Sequence, residues 1–248
     1  MSNSYKFQIK SLYKSFGTHS VLKGVELDVI KDSSLIILGG SGSGKSVLIK
    51  SMVGLIHPDS GSILYEGVES IGMSSQERLK MLENCGYLFQ AGALFDSLTV
   101  SQNITFFAEK LHNLSKKQCK ELAKIKLESV GLSQRIIDLY PSELSGGMQK
   151  RVSLARAICT DPKVIFFDEP TTGLDPIMSN VINDLIIKVR DELGATTITI
   201  THDMQSARKI GKEVAFLYDG KIVWSGKMAE IDKTDNPQLK QFISGSAN

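Results

Sequence analysis

One octapeptide constrains this chain more than any other part of it. Gly39-Gly40-Ser41-Gly42-Ser43-Gly44-Lys45-Ser46 satisfies G-x-x-x-x-G-K-[ST] at every fixed position. It follows the apolar run 34–38, the pattern of a strand buried on both faces of a parallel sheet. A helical stretch, 45–54, comes after it, with Val47, Leu48, Met52 and Leu55 as apolar positions. A strand, a glycine-rich turn and a helix in that order make a phosphate cradle. Glycines adopt the positive φ that lets successive N–H groups point inward, and the helix adds its unpaired first-turn donors and the positive end of its dipole. Lys45 is then expected to reach the β- and γ-phosphates, and the Ser46 hydroxyl to ligate Mg²⁺. Val47 belongs to the same candidate nucleotide-binding segment.

A second apolar run ends in acid: Val164-Ile165-Phe166-Phe167-Asp168-Glu169-Pro170. Ligands of open α/β sheets bind at the C-terminal ends of the strands. Asp168 is placed to hold magnesium through its hydration shell, and Glu169 to polarise the attacking water as general base. Taken alone, Asp-Glu-Pro is equally a polar turn after a strand; beside a complete phosphate loop the chemical reading is preferred. A third element, Leu144-Ser145-Gly146-Gly147-Met148-Gln149, opens a helix that Ser145 can cap and whose paired glycines free backbone donors for a second anion site. Alone it reads as a flexible loop. Two copies arranged head to tail would give it a use, each such loop closing the other copy's nucleotide in an isologous dimer with two composite sites.

The order and spacing of these motifs resemble the nucleotide-binding subunit of ABC transporters over essentially the whole chain. The resemblance implies an α/β fold: a P-loop NTPase core with an inserted α-helical subdomain and an N-terminal antiparallel β subdomain. It implies one domain over 1–248, divided into a core (1–90 and 161–226), a helical signature subdomain (91–160) and a C-terminal tail (227–248). It implies ATP and Mg²⁺ as ligands and a homodimer as the working form. Phe16 matches the aromatic that stacks on adenine, and Gln90 the glutamine that senses Mg²⁺ and the attacking water and links the site to the membrane partner. Asp175, in Gly173-Leu174-Asp175, matches the loop that crosses the dimer interface, and His202 the switch histidine that contacts the γ-phosphate. Singly, Phe16 reads as a core aromatic, Gln90 as a surface polar residue and His202 as a weak signal; their order around the two strong motifs reverses this. Met148 stands where glutamine is common, and Gly40 and Val47 replace proline and threonine. None of these departures removes a magnesium ligand, base or phosphate donor.

Within the family, the phosphate loop, the segment Leu88-Phe89-Gln90-Ala91-Gly92-Ala93-Leu94-Phe95-Asp96-Ser97-Leu98-Thr99-Val100, the signature, and the tail Asn236-Pro237-Gln238-Leu239-Lys240-Gln241-Phe242-Ile243 are similar to the ATPase of MCE-associated (Mla-type) phospholipid transport systems. That similarity implies a separate membrane permease and an MCE-type substrate-binding protein, with a small STAS-domain protein as a further candidate partner. The implied location is the cytoplasmic face of an inner membrane, or a plastid-like envelope, held there through the permease. A non-lipid importer and a mechanical or regulatory ATPase of the cell-division type are the alternatives. Translation-factor types carry two cassettes and chromosome or repair types carry long coiled coils; one cassette and no heptad run oppose both. Ala93, Leu94, Phe95 and Leu98 form an apolar cluster, read either as folding back on its own core or as a groove for an apolar helix of the permease.

The remaining composition fits this reading. The 248 residues carry a net charge of +2, too small to argue for nucleic acid. No apolar run approaches the ~20 residues a membrane helix needs, and the N-terminus shows no signal-peptide pattern. Cys85, Cys119 and Cys159 have no metal spacing and suit a reducing compartment. Strands are expected at 7–12, 21–29, 62–65, 164–167, 196–200, 214–218 and 221–224, and helices at 100–111, 116–130 and 145–158 and through Val181, Ile182, Leu185, Ile186 and Val189.

Overall fold

The computed structural model describes residues 4–90 and 92–245; Ala91 of the glutamine-containing segment, and residues 1–3 and 246–248 of the two ends, lie outside them. Along the chain run β1 (Tyr5–Phe16), β2 (His19–Ile30), β3 (Ser34–Leu38), α1 (Lys45–Met52), β4 (Ser60–Tyr65), β5 (Val68–Glu69), α2 (Ser75–Glu83) and β6 (Cys85–Leu88). The helices α3 (Val100–His112), α4 (Lys116–Ser129) and α5 (Gly146–Ala157) follow. The chain continues with β7 (Val164–Asp168), α6 (Pro176–Leu193), β8 (Thr196–Thr201), α7 (Met204–Ile210), β9 (Glu213–Tyr218), β10 (Lys221–Lys227) and α8 (Pro237–Ser244). Two compact units result: Met1–Leu82 with Thr196–Asn248, and Glu83–Ala195.

The first unit holds two sheets. β2, β1, β4 and β5 form an antiparallel sheet in that order. Its strands outrun the expected ones because a bulge between Ile9 and Leu12, with Ser11 at φ 45°, interrupts the alternation that the sequence pattern relies on. Phe7, Ile9 and Leu12 still reach the core. The other sheet places β3 between parallel neighbours β8 and β9, with β10 antiparallel on β9. All five residues of β3 and all six of β8 are buried, as a strand covered on both faces must be.

In the second unit, β6 and β7 pair in parallel and α3, α4 and α5 pack on one another. Thr99 and Ser115 cap α3 and α4, each with a glutamine three residues on that reaches back to the cap's own N–H. Such caps contribute about 1 kcal/mol each. α6 buries Ile182, Ile186 and Val189, the expected face. Among the described residues no helix is long and apolar enough to cross a membrane.

Cys119 and Cys159 are buried, and burial pushes the Cys159 thiol up to about 12. Maleimide at neutral pH should therefore leave both unmodified until denaturant is added, as intact-mass spectrometry would show. Modification of Cys159 in the native protein would contradict this packing.

Candidate functional site

In the first unit the phosphate loop is built by close approach. A Cβ on Gly39 would lie 2.5 Å from the Leu217 carbonyl oxygen and 2.7 Å from Ser43 Oγ, so no side chain fits there. Gly42 and Gly44 take φ of 77° and 102°, the region that L-residues avoid, and Gly44 serves as N-cap of α1. The first bond within α1 runs from the Leu48 N–H to the Gly44 carbonyl (2.9 Å), which leaves the start of the helix to face a ligand. Lys45 is buried and its ammonium donates to the carbonyls of Gly39 (2.7 Å) and Gly40 (3.0 Å), folding the side chain over the loop. Ser43 Oγ is buried with no hydrogen-bond partner in the protein. A buried hydroxyl without a protein partner in a glycine-rich turn suits a phosphate oxygen, so this donor set fits a nucleotide. A cavity of ≈750 Å³ opens beside the loop, lined by Gly40 to Ser43 and by Phe216, Tyr218 and Phe242, with α8 along one side.

His202 reaches the same edge of the sheet. β3 and β8 are parallel with Leu38 opposite Thr201, so Gly39 and His202 leave their strands side by side. His202 is exposed, and the next residue, Asp203, caps α7 through the N–H groups of Gln205 and Ser206. Phe16 is no core aromatic: it is 51% exposed at the end of β1, with the Lys14 ammonium 5.3 Å from its ring centroid. An exposed ring held by a cation is available for stacking on a base.

The second unit repeats the device. β6 and β7 are parallel with Leu88 opposite Phe167, so Gln90 and the Asp168–Glu169 pair emerge together. Gln90 is exposed; Asp168 and Glu169 are buried. The Tyr87 hydroxyl donates to Asp168 Oδ2 (3.3 Å), and burial, then the Asp168 charge, push the Tyr87 phenol far above its ordinary value. Glu169 holds φ 50° and accepts from Thr172 Oγ1 (3.1 Å). A non-glycine residue in that region costs about 1–3 kcal/mol, a strain concentrated at functional sites. In this unit the carboxylate oxygens of Asp168 are hard donors of the kind that suits Mg²⁺, and in the first unit so is the Ser46 hydroxyl oxygen.

The signature lies in this unit too. The Ser145 hydroxyl caps α5 by accepting from the Met148 N–H (3.3 Å). Gly146 is open to solvent, whereas a Cβ on Gly147 would meet Met178 Cε at 2.5 Å. Asp175 caps α6 by accepting from the Met178 N–H (2.9 Å), so Met178 joins the turn at Asp175 to the signature. Motif reading did not single out Tyr87, Thr172 or Lys150. Lys150 is buried on α5 and donates to the Gln90 carbonyl. Burial lowers its pKa while the charges of Asp168 and Glu169 oppose that.

Residues 22–172 match the protein family described as ABC transporter. The chain is 39% identical to the Arabidopsis thaliana protein Trigalactosyldiacylglycerol 3, chloroplastic, over 96% of this chain and 73% of that one. It is 38% identical to a probable sulfate/thiosulfate import ATP-binding protein of Chlorella vulgaris (95% and 97%). It is 34% identical to an intermembrane phospholipid transport system ATP-binding protein of Haemophilus influenzae (99% and 93%). A dimeric ATP-binding cassette in a post-hydrolysis state, bound to ADP and Pi, superposes with a TM-score of 0.81 at 29% identity, over 90% of this chain and 98% of that one.

Proposed function

Because the chain belongs to the ABC transporter family of ATP-binding, ATP-hydrolysing subunits, we propose that it works as a homodimer and powers phospholipid transport through a separate membrane permease. The observation that carries the hydrolytic reading is the repeated parallel pairing. β3 with β8 and β6 with β7 bring the phosphate loop, His202, Gln90 and Asp168–Glu169 to the ends of their strands, where the motifs require them. Magnesium, when bound, would neutralise charge developing on the phosphate oxygens. The protein's own groups do the rest. Lys45 and the loop amides bind the β- and γ-phosphates, and Ser46, Gln90 and Asp168 would hold the metal when it is bound. Glu169 takes the proton of the attacking water while His202 contacts the γ-phosphate, and Phe16 stacks on the base. Ser145 to Met148 and Asp175 serve the other copy's site. Since phosphoryl transfer has a loose transition state, positioning and charge stabilisation account for most of the catalysis.

Phospholipid as the cargo is supported by two relatives named for lipids or lipid transport and by the sequence of the segment after Gln90. The sulfate/thiosulfate relative, equally similar, favours a second reading: a non-lipid importer. Purifying the subunit with its native membrane partners and analysing bound lipid separates the two. Enriched phospholipid, with an MCE-type or a small STAS-domain protein in the complex, supports the first. Hydrolysis stimulated by a sulfate-binding partner instead would establish the second.

Docking has its own structural support. Phe95 is 44% exposed, and its ring lies 4.7 Å from that of Phe106. Phe106, Leu98 and Leu114 line a cavity of ≈480 Å³ edged by Glu109 and Lys110. An apolar helix of the permease with a polar flank suits this surface. Phe95→Ala should lower permease-stimulated hydrolysis at least about tenfold, as loss of a buried aromatic anchor does, with ATP affinity unchanged. Full stimulation in proteoliposomes would exclude Phe95 as an anchor.

A further inference from the structure

Residues 92–99 form no helix or strand, yet the carbonyls of Gln90, Gly92 and Ala93 are held from one helix. Lys150 Nζ donates to the Gln90 carbonyl, Ser153 Oγ to the Gly92 carbonyl (3.0 Å), and Arg156 to the carbonyls of Gly92 (Nη2, 2.6 Å) and Ala93 (Nη1, 2.8 Å). The three donors lie three residues apart, on successive turns of α5. Gly92 sits at φ 75°, and a Cβ there would lie 2.7 Å from Ser153 Oγ, so the loop is pressed onto the helix at this point. The far end of the segment is tied to α3. Fully buried Asn103 accepts from the Phe95 N–H (2.8 Å) and donates to the carbonyls of Phe95, Leu98 and Thr99 (3.0, 3.0 and 3.1 Å). The Arg156 guanidinium also lies 5.8 Å from the Phe95 ring centroid.

This arrangement is expensive to keep without a use. Lys150 and Ser153 are buried polar groups, and the Lys150 ammonium loses hydration that its bond to the Gln90 carbonyl and the charges of Asp168 and Glu169 only partly offset. A loop that only had to fold could rest on apolar side chains. Donors aimed at carbonyls instead fix the backbone itself, whatever the loop's side chains are doing. The same helix begins at the signature: Ser145 caps it, five residues before Lys150. A pull on the backbone at Gln90, Gly92 or Ala93 is therefore a pull on α5, the helix that the signature turn opens.

We propose that Lys150, Ser153 and Arg156 are positioning residues that clamp the loop after Gln90 to the signature helix, so that load applied by a membrane partner at Phe95 is delivered to Ser145–Met148. This rests on the reading of Phe95 as a docking residue. The clamp acts on geometry: it touches neither nucleotide nor partner, and it sets how much of the partner's movement arrives.

The test uses the full-length subunit, alone and reconstituted with its permease in liposomes. Arg156→Met removes two of the carbonyl bonds. Deuterium uptake across 92–98 in the isolated subunit should rise. The ratio of permease-stimulated to basal hydrolysis should fall roughly tenfold, the scale of a lost charge-assisted bond, while co-purification with the permease persists. Arg156→Lys, which keeps the charge and a donor, should recover most of the ratio. Unchanged uptake overturns the proposal, as does raised uptake with an unchanged ratio, or loss of co-purification, which would make Arg156 a docking residue. If Arg156→Met does not fold, Ser153→Ala removes a single bond with little change of volume and is read in the same way. Failure of the docking reading is separable. It would appear as full stimulation of Phe95→Ala, while the exchange and coupling ratio of the Arg156 variants still judge the clamp.

Discussion

Glu169→Gln is expected to yield an ATP-loaded dimer that scarcely turns over. Glutamine keeps the size of the side chain and an oxygen able to accept from Thr172, so the strained turn at φ 50° and the buried position remain satisfied. What disappears is the capacity to take a proton from water. General-base catalysis contributes roughly 10²- to 10⁴-fold, and the phosphate-release rate should fall by that order. Nucleotide binding should persist, because Lys45, Ser43 and the loop amides are untouched. Size-exclusion chromatography with ATP and Mg²⁺ should then show a dimer that wild type forms only transiently. Phosphate release at the wild-type rate would remove Glu169 from the role of base.

The second large effect concerns which copy supplies which part. Lys45→Ala removes the ammonium that spans the loop, and Ser145→Arg blocks the signature turn; each variant alone should be close to inactive. Mixed in equal amounts, half of the dimers pair one variant with the other. Each mixed dimer holds one site with both a wild-type loop and a wild-type signature. Activity should return to about a quarter of wild type if sites are shared across an isologous interface. No recovery, with mixed dimers verified by tag exchange, would mean that each copy completes its own site. Gly146 is exposed and the Ser145 hydroxyl caps α5, and the mixing result decides which copy's site that turn serves.

The parts of the fold that were legible in the sequence are those with one physical solution. Only a strand covered on both faces tolerates the apolar runs ending at Leu38 and Phe167, and only glycine fits where Gly39 meets the Leu217 carbonyl. The structure places β3 and β7 where those runs lie, and the α3, α4 and α5 ends agree within two residues because Thr99, Ser115 and Ser145 announce them as caps. Several other elements gave no such signal. α2 buries only Met81, α7 has seven residues, and β6 has four with a glycine among them, Gly86, which lets the strand approach the Ala157 carbonyl. Whether Phe16 was core or surface could not be read from alternation, since the bulge at Ser11 had already broken the register. The clamp on the loop after Gln90 was invisible for a different reason. Its acceptors are backbone carbonyls, which every residue carries, so the pairing leaves no residue pattern.

The folded-back posture of Lys45 has a consequence for choice among anions. Its ammonium is solvated by the carbonyls of Gly39 and Gly40. An arriving anion must therefore replace hydrogen bonds already made, and a polyphosphate, with more oxygens than a single small ion, offers more of them to the lysine and the loop together. A polyphosphate chain reaches both at once. Competition is thus decided by reach rather than by charge alone, which lets a subunit bathed in free phosphate keep its loop for the longer ligand.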